Sequence, residues 1–274
     1  MVNRFLIFIV VCLCHTTMLF AQQNPLVLWY NKPAKIWEET LPLGNGLIGM
    51  MPDGNPRQEK IVLNEISMWS GSPEDPNNYE AYKNVEAIQA LLKAGKNDEA
   101  EKLVNETFVT KGKGSGFGNG ATVPYGCYQL FGDLFLDYKL PAGTIEDYRR
   151  SLDLATASAQ TSFRINGQQI QRRYYTSFDK NVGVIQLNQN KDVLQTLDLS
   201  FQRKENIDRY TLLNDGILIE GSLPDGKGCK NLKFVGLIQV KGKNLQISKK
   251  DQTLEVSAKG DLSIYFSAST SYYG

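Results

Sequence analysis

From about residue 128 onward, apolar residues alternate with polar ones in short runs separated by turn residues. Leu134, Leu136 and Tyr138 alternate in this way, and a later run ends in Asn166-Gly167, a strong signal for a two-residue hairpin turn. Runs with a period of two are typical of strands that have one buried face. The pattern therefore predicts a mainly β chain with many short antiparallel strands, which favours a β-sandwich over a βαβ fold.

Two further hairpins are predicted by the same signals. The turn Asp53-Gly54-Asn55-Pro56 separates apolar runs at residues 47–51 and 58–63. The turn Asn214-Asp215-Gly216 separates residues 210–213 from residues 217–219. Residues 182–187 form a nearly continuous apolar run, which is typical of a buried strand.

Only residues 79–108 change to helical spacing. Gly95 lies between two apolar runs, at the position where a glycine commonly ends a helix, and Asn97 is predicted to cap the second helix. We therefore expect two short antiparallel helices inserted into the β chain. The predicted apolar faces are Val85, Ile88, Leu91 and Leu92 in the first helix, and Ala100, Leu103, Val104 and Phe108 in the second.

A glycine-rich segment at residues 111–121 follows the predicted helices. Its glycines alternate with other residues, so the spacing does not match a dinucleotide-binding GxGxxG motif, and no Lys-Ser or Lys-Thr pair follows as in a phosphate-binding loop. We interpret the segment as a mobile loop.

The first 21 residues have the pattern of a secretory signal peptide. Arg4 precedes an apolar run at residues 5–14, and Leu19-Phe20-Ala21 provides a cleavage site before Gln22. The apolar run is too short to span a bilayer, which takes about 20 residues. We expect cleavage after Ala21 and export to the periplasm or the cell exterior, which leaves residues 22–274 as one domain.

Composition excludes several kinds of site once this segment is removed. The only histidine, His15, is lost, which excludes a Ser-His-Asp site and metal sites that use imidazole. The whole chain has 30 basic and 29 acidic residues, and without Arg4 the balance is zero. Without a basic excess, we expect no binding to nucleic acid. Because the mature chain has no histidine and only two cysteines, we expect no metal site, and we expect no cofactor.

Two cysteines remain after cleavage, Cys127 and Cys229. In an oxidising compartment they could form a disulfide. The interpretation we favour is two buried thiols, and the sequence leaves both alternatives open.

Two clusters combine an indole, a carboxylate and an amide among glycines, at residues 37–49 and 63–73. Such groups suit a sugar, because a ring stacks on its C–H face while Asn and Glu bind its hydroxyls. The alternative is that the tryptophan fills the core and the polar groups hold loops. Because the clusters flank one predicted hairpin, they should meet at one edge of the sandwich. The predicted substrate-binding or interface residues are Asn45, Asn64, Glu65 and Trp69.

These two clusters resemble the opening of glycoside hydrolase family 95, the α-L-fucosidases. The resemblance continues in residues 128–134, 148–157 and 174–177, and it reaches residues 267–272. The two clusters and the segments at 128–134, 148–157 and 174–177 are five motifs in the family's order, which makes the resemblance specific. Departures are mild: Ile66 and Ser67 replace a usual Asp-Thr, and Ser72 replaces a usual glycine.

The resemblance implies a super-sandwich domain that packs on a separate (α/α)6 barrel, with a fucosylated glycan as substrate. In this family the general acid and the groups that activate water lie in the barrel, which is expected to begin after residue 274. Inverting hydrolysis needs an acid and a base about 6.5–9.5 Å apart. No residue of this chain matches either role, so we expect no catalytic residue here.

Two other functions remain open on the sequence. One is a stand-alone carbohydrate-binding or structural sandwich, and the other is a small enzyme that uses only carboxylates of this chain.

Overall fold

The computed structural model describes residues 26–112, 123–188 and 193–273. The predicted signal peptide at residues 1–21 and most of the predicted glycine-rich loop lie outside the described residues. Among the described residues, no helix is long and apolar enough to cross a membrane.

Sixteen strands form two antiparallel sheets in the described part of the chain, which confirms the predicted fold class. The larger sheet has nine strands in the order β1-β6-β7-β8-β9-β16-β13-β12-β11. Their bounds are β1 Val27–Tyr30, β6 Ile145–Asp153, β7 Ser158–Ile165, β8 Gln168–Ser177, β9 Val182–Asn188, β11 Ile207–Leu212, β12 Gly216–Pro224, β13 Lys230–Gly242 and β16 Leu262–Thr270.

The smaller sheet has seven strands in the order β14-β15-β10-β5-β4-β3-β2. Their bounds are β2 Leu43–Gly44, β3 Ile48–Pro52, β4 Gln58–Glu65, β5 Gly132–Tyr138, β10 Leu194–Gln202, β14 Gln246–Lys250 and β15 Thr253–Lys259. The predicted hairpins are confirmed as the pairs β3–β4, β7–β8 and β11–β12. At the β7–β8 turn, Asn166 and Gly167 both have positive φ, as a tight hairpin turn requires.

Apolar side chains from both sheets meet between them. Phe131, just before β5, is fully buried, and its ring contacts those of Phe201, Phe234 and Phe266 at centroid distances of 5.6, 5.7 and 5.3 Å. Phe201 comes from the smaller sheet, whereas Phe234 and Phe266 come from the larger one. This aromatic cluster therefore holds the two sheets together at one place in the core.

The two predicted helices are present as α1 (Val85–Lys93) and α2 (Asn97–Thr107). The predicted capping role of Asn97 is wrong, because Lys96 occupies the cap position and Asn97 is the first helical residue. The cause is the tight turn at Gly95 (φ 73°): the Lys96 amide still donates to Leu91 O of α1, and α2 starts at the next residue.

The apolar faces of the helices are covered less than their amphipathic pattern predicts. Ala100 is the one buried residue of α1 and α2, while Val85, Leu92, Val104 and Phe108 are exposed. The helices pack mainly on each other and on the short 3-10 turn Ala81–Asn84.

The favoured interpretation of the cysteines is partly wrong. Cys127 is half-buried, but Cys229 is exposed, and both are free thiols. Cys229 follows the turn that begins at Asp225, whose carboxylate accepts hydrogen bonds from the Lys227 and Cys229 amides. Its side chain therefore lies on a surface loop rather than on an inward-facing strand position.

A buried carboxylate lies between the sheets. Glu59 of β4 has no exposed surface, and it accepts hydrogen bonds from Tyr138 of β5 at 2.8 Å and Tyr174 of β8 at 2.6 Å. Arg172 of β8 lies 3.3 Å from the same carboxylate and stacks on the ring of Tyr138 at 3.4 Å. Burial raises the pKa of both phenols well above the ordinary value, so they stay protonated donors. We call Glu59, Tyr138, Arg172 and Tyr174 the buried polar cluster.

Other N–H groups of Arg172 bind the backbone. They reach the carbonyl oxygens of Asn55, at 2.8 Å, and Pro56 in the β3–β4 turn. Arg150 of β6 is almost fully buried in a similar way, and it donates to the carbonyls of Lys32 at 2.8 Å and Glu39 at 2.6 Å. The two arginines thereby attach loops of the chain's first part to the larger sheet.

Glu59→Gln should destabilise the fold by about 3–5 kcal/mol, because it leaves the buried Arg172 charge without a counter-charge. Urea unfolding gives the free energy. Glu220→Gln, which removes the same charge from an exposed pair with Arg209, is the matched control and should change stability little. In the double variant Glu59→Gln, Arg172→Met the loss should be smaller than the sum of the single losses. A loss below about 1 kcal/mol for Glu59→Gln would show that the cluster contributes little.

Asp53 in the β3–β4 turn is expected to make stability depend on pH. Burial, with a smaller contribution from the Glu59 charge, raises its pKa from 3.8 to about 6. The folded state then binds a proton more tightly than the unfolded state, so this group's contribution falls as the pH rises from 3.8 to about 6.

Asp53→Asn keeps an acceptor for the Asn55 amide, which donates to Asp53 Oδ1 at 2.8 Å, and removes the charge. Above pH 6 the variant should therefore be more stable than the parent by up to about 3 kcal/mol, and the difference should vanish near pH 4. Unfolding curves across this range measure the difference. A difference that is constant with pH would contradict the prediction.

Candidate functional site

The structure brings the Asn45 loop and the Asn64–Glu65 segment together at one end of the smaller sheet. In the β3–β4 pair, Ile48 lies opposite Glu65 and Gly49 lies opposite Asn64. The Ile66 amide donates to Leu47 O at 2.9 Å, so contact between the two segments continues beyond the strands.

The Asn45 side chain makes hydrogen bonds within its own loop and to the other sheet. Its Oδ1 accepts from the amides of Leu47 at 3.0 Å and Ile48 at 2.8 Å, and its Nδ2 donates to Ser177 O at 2.8 Å. Ser177 ends β8 of the larger sheet. The side chain therefore connects the ends of two strands that belong to different sheets.

Glu65 is buried and its carboxylate is occupied. It accepts from the amide of Ser67 at 2.9 Å and from the Ser67 hydroxyl, which in turn lies 2.5 Å from the hydroxyl of Thr270 at the end of β16. Glu65 is 4% exposed, and its carboxylate receives its hydrogen bonds from within the protein. It therefore stabilises the loop at residues 65–68.

Asn64 and Trp69 meet through Tyr128. Burial raises the pKa of Tyr128, and a hydrogen bond with the Asn64 side chain offsets part of this rise. Asn64 Oδ1 is buried and has no hydrogen-bond partner among the described residues. The Trp69 ring lies 6.2 Å from the Tyr128 ring, and Trp69 pairs with Tyr128 as an isolated bridge. Of the four predicted site residues, Trp69 is the one that presents a large face to solvent, with 48% of its surface exposed.

Trp69 lies at a cleft of about 770 Å³ that contains aromatic and hydroxyl groups. Apart from Trp69, the predicted site residues do not include the residues that line this cleft, because the lining comes from separate stretches of the chain. We call the aromatic cleft the depression lined by Trp69, Ser72, Tyr125, Asn231, Ser271 and Tyr272, together with neighbouring backbone. The only sequence signal for it was the motif at residues 69–73.

The floor of the aromatic cleft depends on two glycines. The amides of Ser70 and Ser72 donate to Cys127 O and Pro124 O at 3.0 and 2.9 Å. The backbones approach so closely that a Cβ at Gly71 would lie 2.4 Å from Pro124 O, and one at Gly126 would lie 1.8 Å from Ser70 O. Both glycines also have positive φ, which larger residues rarely adopt. A larger residue is therefore disfavoured both by steric contact and by the backbone conformation.

A second cleft contains two carboxylates, Asp208 and Glu220. Each carboxylate is paired: Asp208 with Lys230 and Ser222, and Glu220 with Arg209 at 2.5 and 2.7 Å. These hydrogen bonds lower the pKa of both groups. Neither group would hold a proton at neutral pH, which a general acid must do.

The described part of the chain offers few groups for metal binding or for acid catalysis. No cluster of three or more His, Cys, Asp or Glu side chains there could hold a metal ion. Asp53, whose pKa of about 6 suits an acid, lies in the β3–β4 turn and is not part of the aromatic cleft.

Comparison with known proteins identifies relatives over nearly the whole domain. Residues 28–274 match the family described as glycosyl hydrolase family 65, N-terminal domain. Alpha-L-fucosidase 2 of Arabidopsis thaliana is 28% identical over 180 residues, which are 65% of this chain and 20% of that protein. A probable alpha-fucosidase A of Aspergillus niger is 31% identical over 186 residues, 66% of this chain and 22% of that protein.

Among solved structures, a putative kojibiose phosphorylase from the human microbiome aligns with a TM-score of 0.49 and 10% identity, over 91% of this chain and 33% of that one. This chain thus spans about a fifth of the curated relatives it matches. The resemblance to the N-terminal part of α-fucosidase-like glycoside hydrolases is confirmed, and the chain belongs to the glycosyl hydrolase family 65 N-terminal domain family.

Proposed function

We propose that this chain is the N-terminal module of an exported α-L-fucosidase-like glycoside hydrolase and that it does not catalyse by itself. The observation that carries the proposal is the match to two α-fucosidases that extend far beyond the matched region. In this proposal a separate barrel domain supplies the acid and the base, and a fucosylated glycan is the substrate.

The state of the carboxylates supports the non-catalytic part. A glycosidase needs one carboxyl that holds a proton next to the sugar and a second group that acts as base or nucleophile. Here Glu65 is buried against Ser67, and Asp208 and Glu220 are paired with cations. The aromatic cleft has no carboxylate in its lining.

In the same proposal the end of the sandwich near Asn45 and Trp69 contacts the sugar or the second domain. Asn45 and Glu65 hold the two loops in place, and Trp69 offers the contact surface. Exposed apolar side chains on the two helices, including Leu92 and Val104, offer a further surface for packing.

The chain should release no L-fucose from 2′-fucosyllactose or from a 4-nitrophenyl α-L-fucoside above the buffer rate. Positioned acid and base groups contribute about 10²–10⁴-fold to such reactions, and the described residues offer no such pair. Fucose release is measured by chromatography, with an active α-L-fucosidase as positive control. Turnover that disappears on Asp53→Asn or on a change of another carboxylate of this chain would contradict the proposal.

Export is tested separately in the secreted fraction of cells that express the full chain. N-terminal sequencing or intact mass should show a chain that begins at Gln22, because Ala21 precedes the expected cleavage site. A variant with Phe8→Arg and Val10→Arg, which interrupts the apolar run, should stay inside the cell and keep its first residues. Secreted protein that retains residues 1–21, or export of the double variant, would contradict it.

A further inference from the structure

We propose that the aromatic cleft binds a neutral pyranose ring of a glycan. This inference rests on the proposed function, in which the sandwich end near Trp69 contacts a sugar, and it names the site and the class of ligand; binding there would require no hydrolysis. The cleft brings together residues that are distant in the sequence, with Trp69 and Ser72 on one segment and Tyr125 and Tyr272 on two others.

The rings in the cleft are exposed and at least one of them is held in place. Tyr125 is 56% exposed and Tyr272 is 65% exposed, beside the half-exposed Trp69. Trp69 Nε1 donates to Tyr125 O at 3.4 Å, and the tilted contact with Tyr128 supports the other side of the indole. A fixed aromatic face loses little conformational freedom on binding, which favours stacking on the C–H face of a sugar.

The polar groups of the cleft suit hydroxyl groups rather than charged ones. Among the described residues, its lining contains serine hydroxyls and the exposed amide-bearing residue Asn231, and it contains no Asp, Glu, Lys, Arg or His. A phosphate or carboxylate would lose its hydration there without gaining a counter-charge. The lining therefore selects a neutral ligand.

One hydroxyl in the lining has no partner in the described residues. Ser72 Oγ is buried and makes no hydrogen bond, although the Ser72 amide is fixed on Pro124 O. In contrast, Ser67 Oγ bonds to Glu65 and Thr270, Ser70 Oγ accepts from the Cys127 amide, and Ser271 Oγ accepts from the Lys233 amide. A buried polar atom without a partner costs free energy. In the described conformation this hydroxyl is closed to solvent, so a sugar hydroxyl would supply the missing bond once the Ser72 side chain rotates toward the cleft.

The volume is also suitable. A cleft of about 770 Å³ lies within the range of about 300–1,000 Å³ that is usual for small-ligand sites. Those sites combine apolar and aromatic walls with a few polar groups that fix orientation, and the aromatic cleft has this composition.

The test is isothermal titration calorimetry of the full chain with two trisaccharides built on lactose. The neutral probe is 2′-fucosyllactose and the anionic probe is 3′-sialyllactose. We expect saturable binding of the neutral probe, and clearly weaker binding of the anionic one. Trp69→Ala should weaken binding of 2′-fucosyllactose about tenfold or more, while Trp69→Phe, which keeps an aromatic face, should retain most of it.

Trp37→Ala is the matched control. Trp37 is 51% exposed, close to the value of Trp69, and is outside the cleft, so this change should leave binding unaltered. Ser72→Ala should weaken binding several-fold without lowering the Tm, because the hydroxyl has no bond inside the described protein. The Tm of each variant shows whether it folds, and Trp69→Phe and Ser72→Ala keep the test decisive if Trp69→Ala unfolds.

Three results would overturn the inference. The first is no saturable heat with 2′-fucosyllactose, and the second is equal binding of the anionic probe. The third is a loss of binding that is the same for Trp69→Ala and Trp37→Ala. Sedimentation of the parent and of Trp69→Ala can give a fourth such result. If the parent is a dimer, Trp69→Ala is a monomer, and no sugar binds, then the cleft is a contact between two chains. Because the readout is heat of binding, the outcome is independent of fucose release.

Discussion

The buried charge of Glu59 is the constraint around which the two sheets are arranged. A carboxylate without access to water is tolerated only when cations and donors surround it, and here every partner must come from a particular strand. Tyr138 comes from the same sheet as Glu59, whereas Arg172 and Tyr174 come from the other sheet. Sliding one sheet past the other would separate the carboxylate from these partners. The cluster therefore specifies the register between the sheets, which the surrounding aliphatic contacts alone would define less sharply.

The same principle extends from the core to the loops. Arg172 and Arg150 both lie in the larger sheet. N–H groups of Arg172 donate to carbonyl oxygens in the β3–β4 turn, and N–H groups of Arg150 donate to carbonyl oxygens in the segment at residues 32–39. Loops that lack a regular ladder thus obtain hydrogen bonds from buried side chains, as buried backbone groups require. At the other end of β3 and β4, Asn45 connects the start of β3 with the end of β8. Together with the bonds of Glu65 to Ser67 and of Ser67 to Thr270, this contact makes the sandwich end that carries Trp69 a fixed surface.

That fixed surface separates two kinds of chemistry. Glu59 and Glu65 are buried, Asp208 and Glu220 are paired with cations, and Asp53 lies in a turn, which suits these carboxylates to structure and charge balance. The exposed rings and the Ser72 hydroxyl, which has no partner among the described residues, occur in a cleft whose described lining has no carboxylate. A surface of this composition is adapted to bind neutral polar molecules and poorly adapted to transfer protons. This division is in keeping with the proposed role, in which the module contributes contacts to a larger glycosidase and the reaction takes place in another domain.

The sequence by itself determined the strands, the hairpin turns and the helix pair, because these depend on local alternation, helical spacing and turn residues such as Asn166-Gly167. It also led to the family, through motifs that remain contiguous in the chain. The cap at Lys96 instead of Asn97 and the exposure of Cys229 were missed because each depends on how a turn is oriented. The sequence motif made Glu65 a candidate contact, but that its carboxylate is buried and bonded to Ser67, which in turn bonds to Thr270, is visible only in the tertiary structure. The aromatic cleft and the Glu59 cluster were decided only by the tertiary structure. Their members lie up to about 200 residues apart along the chain, and no local pattern records which side chains meet when two sheets close on each other.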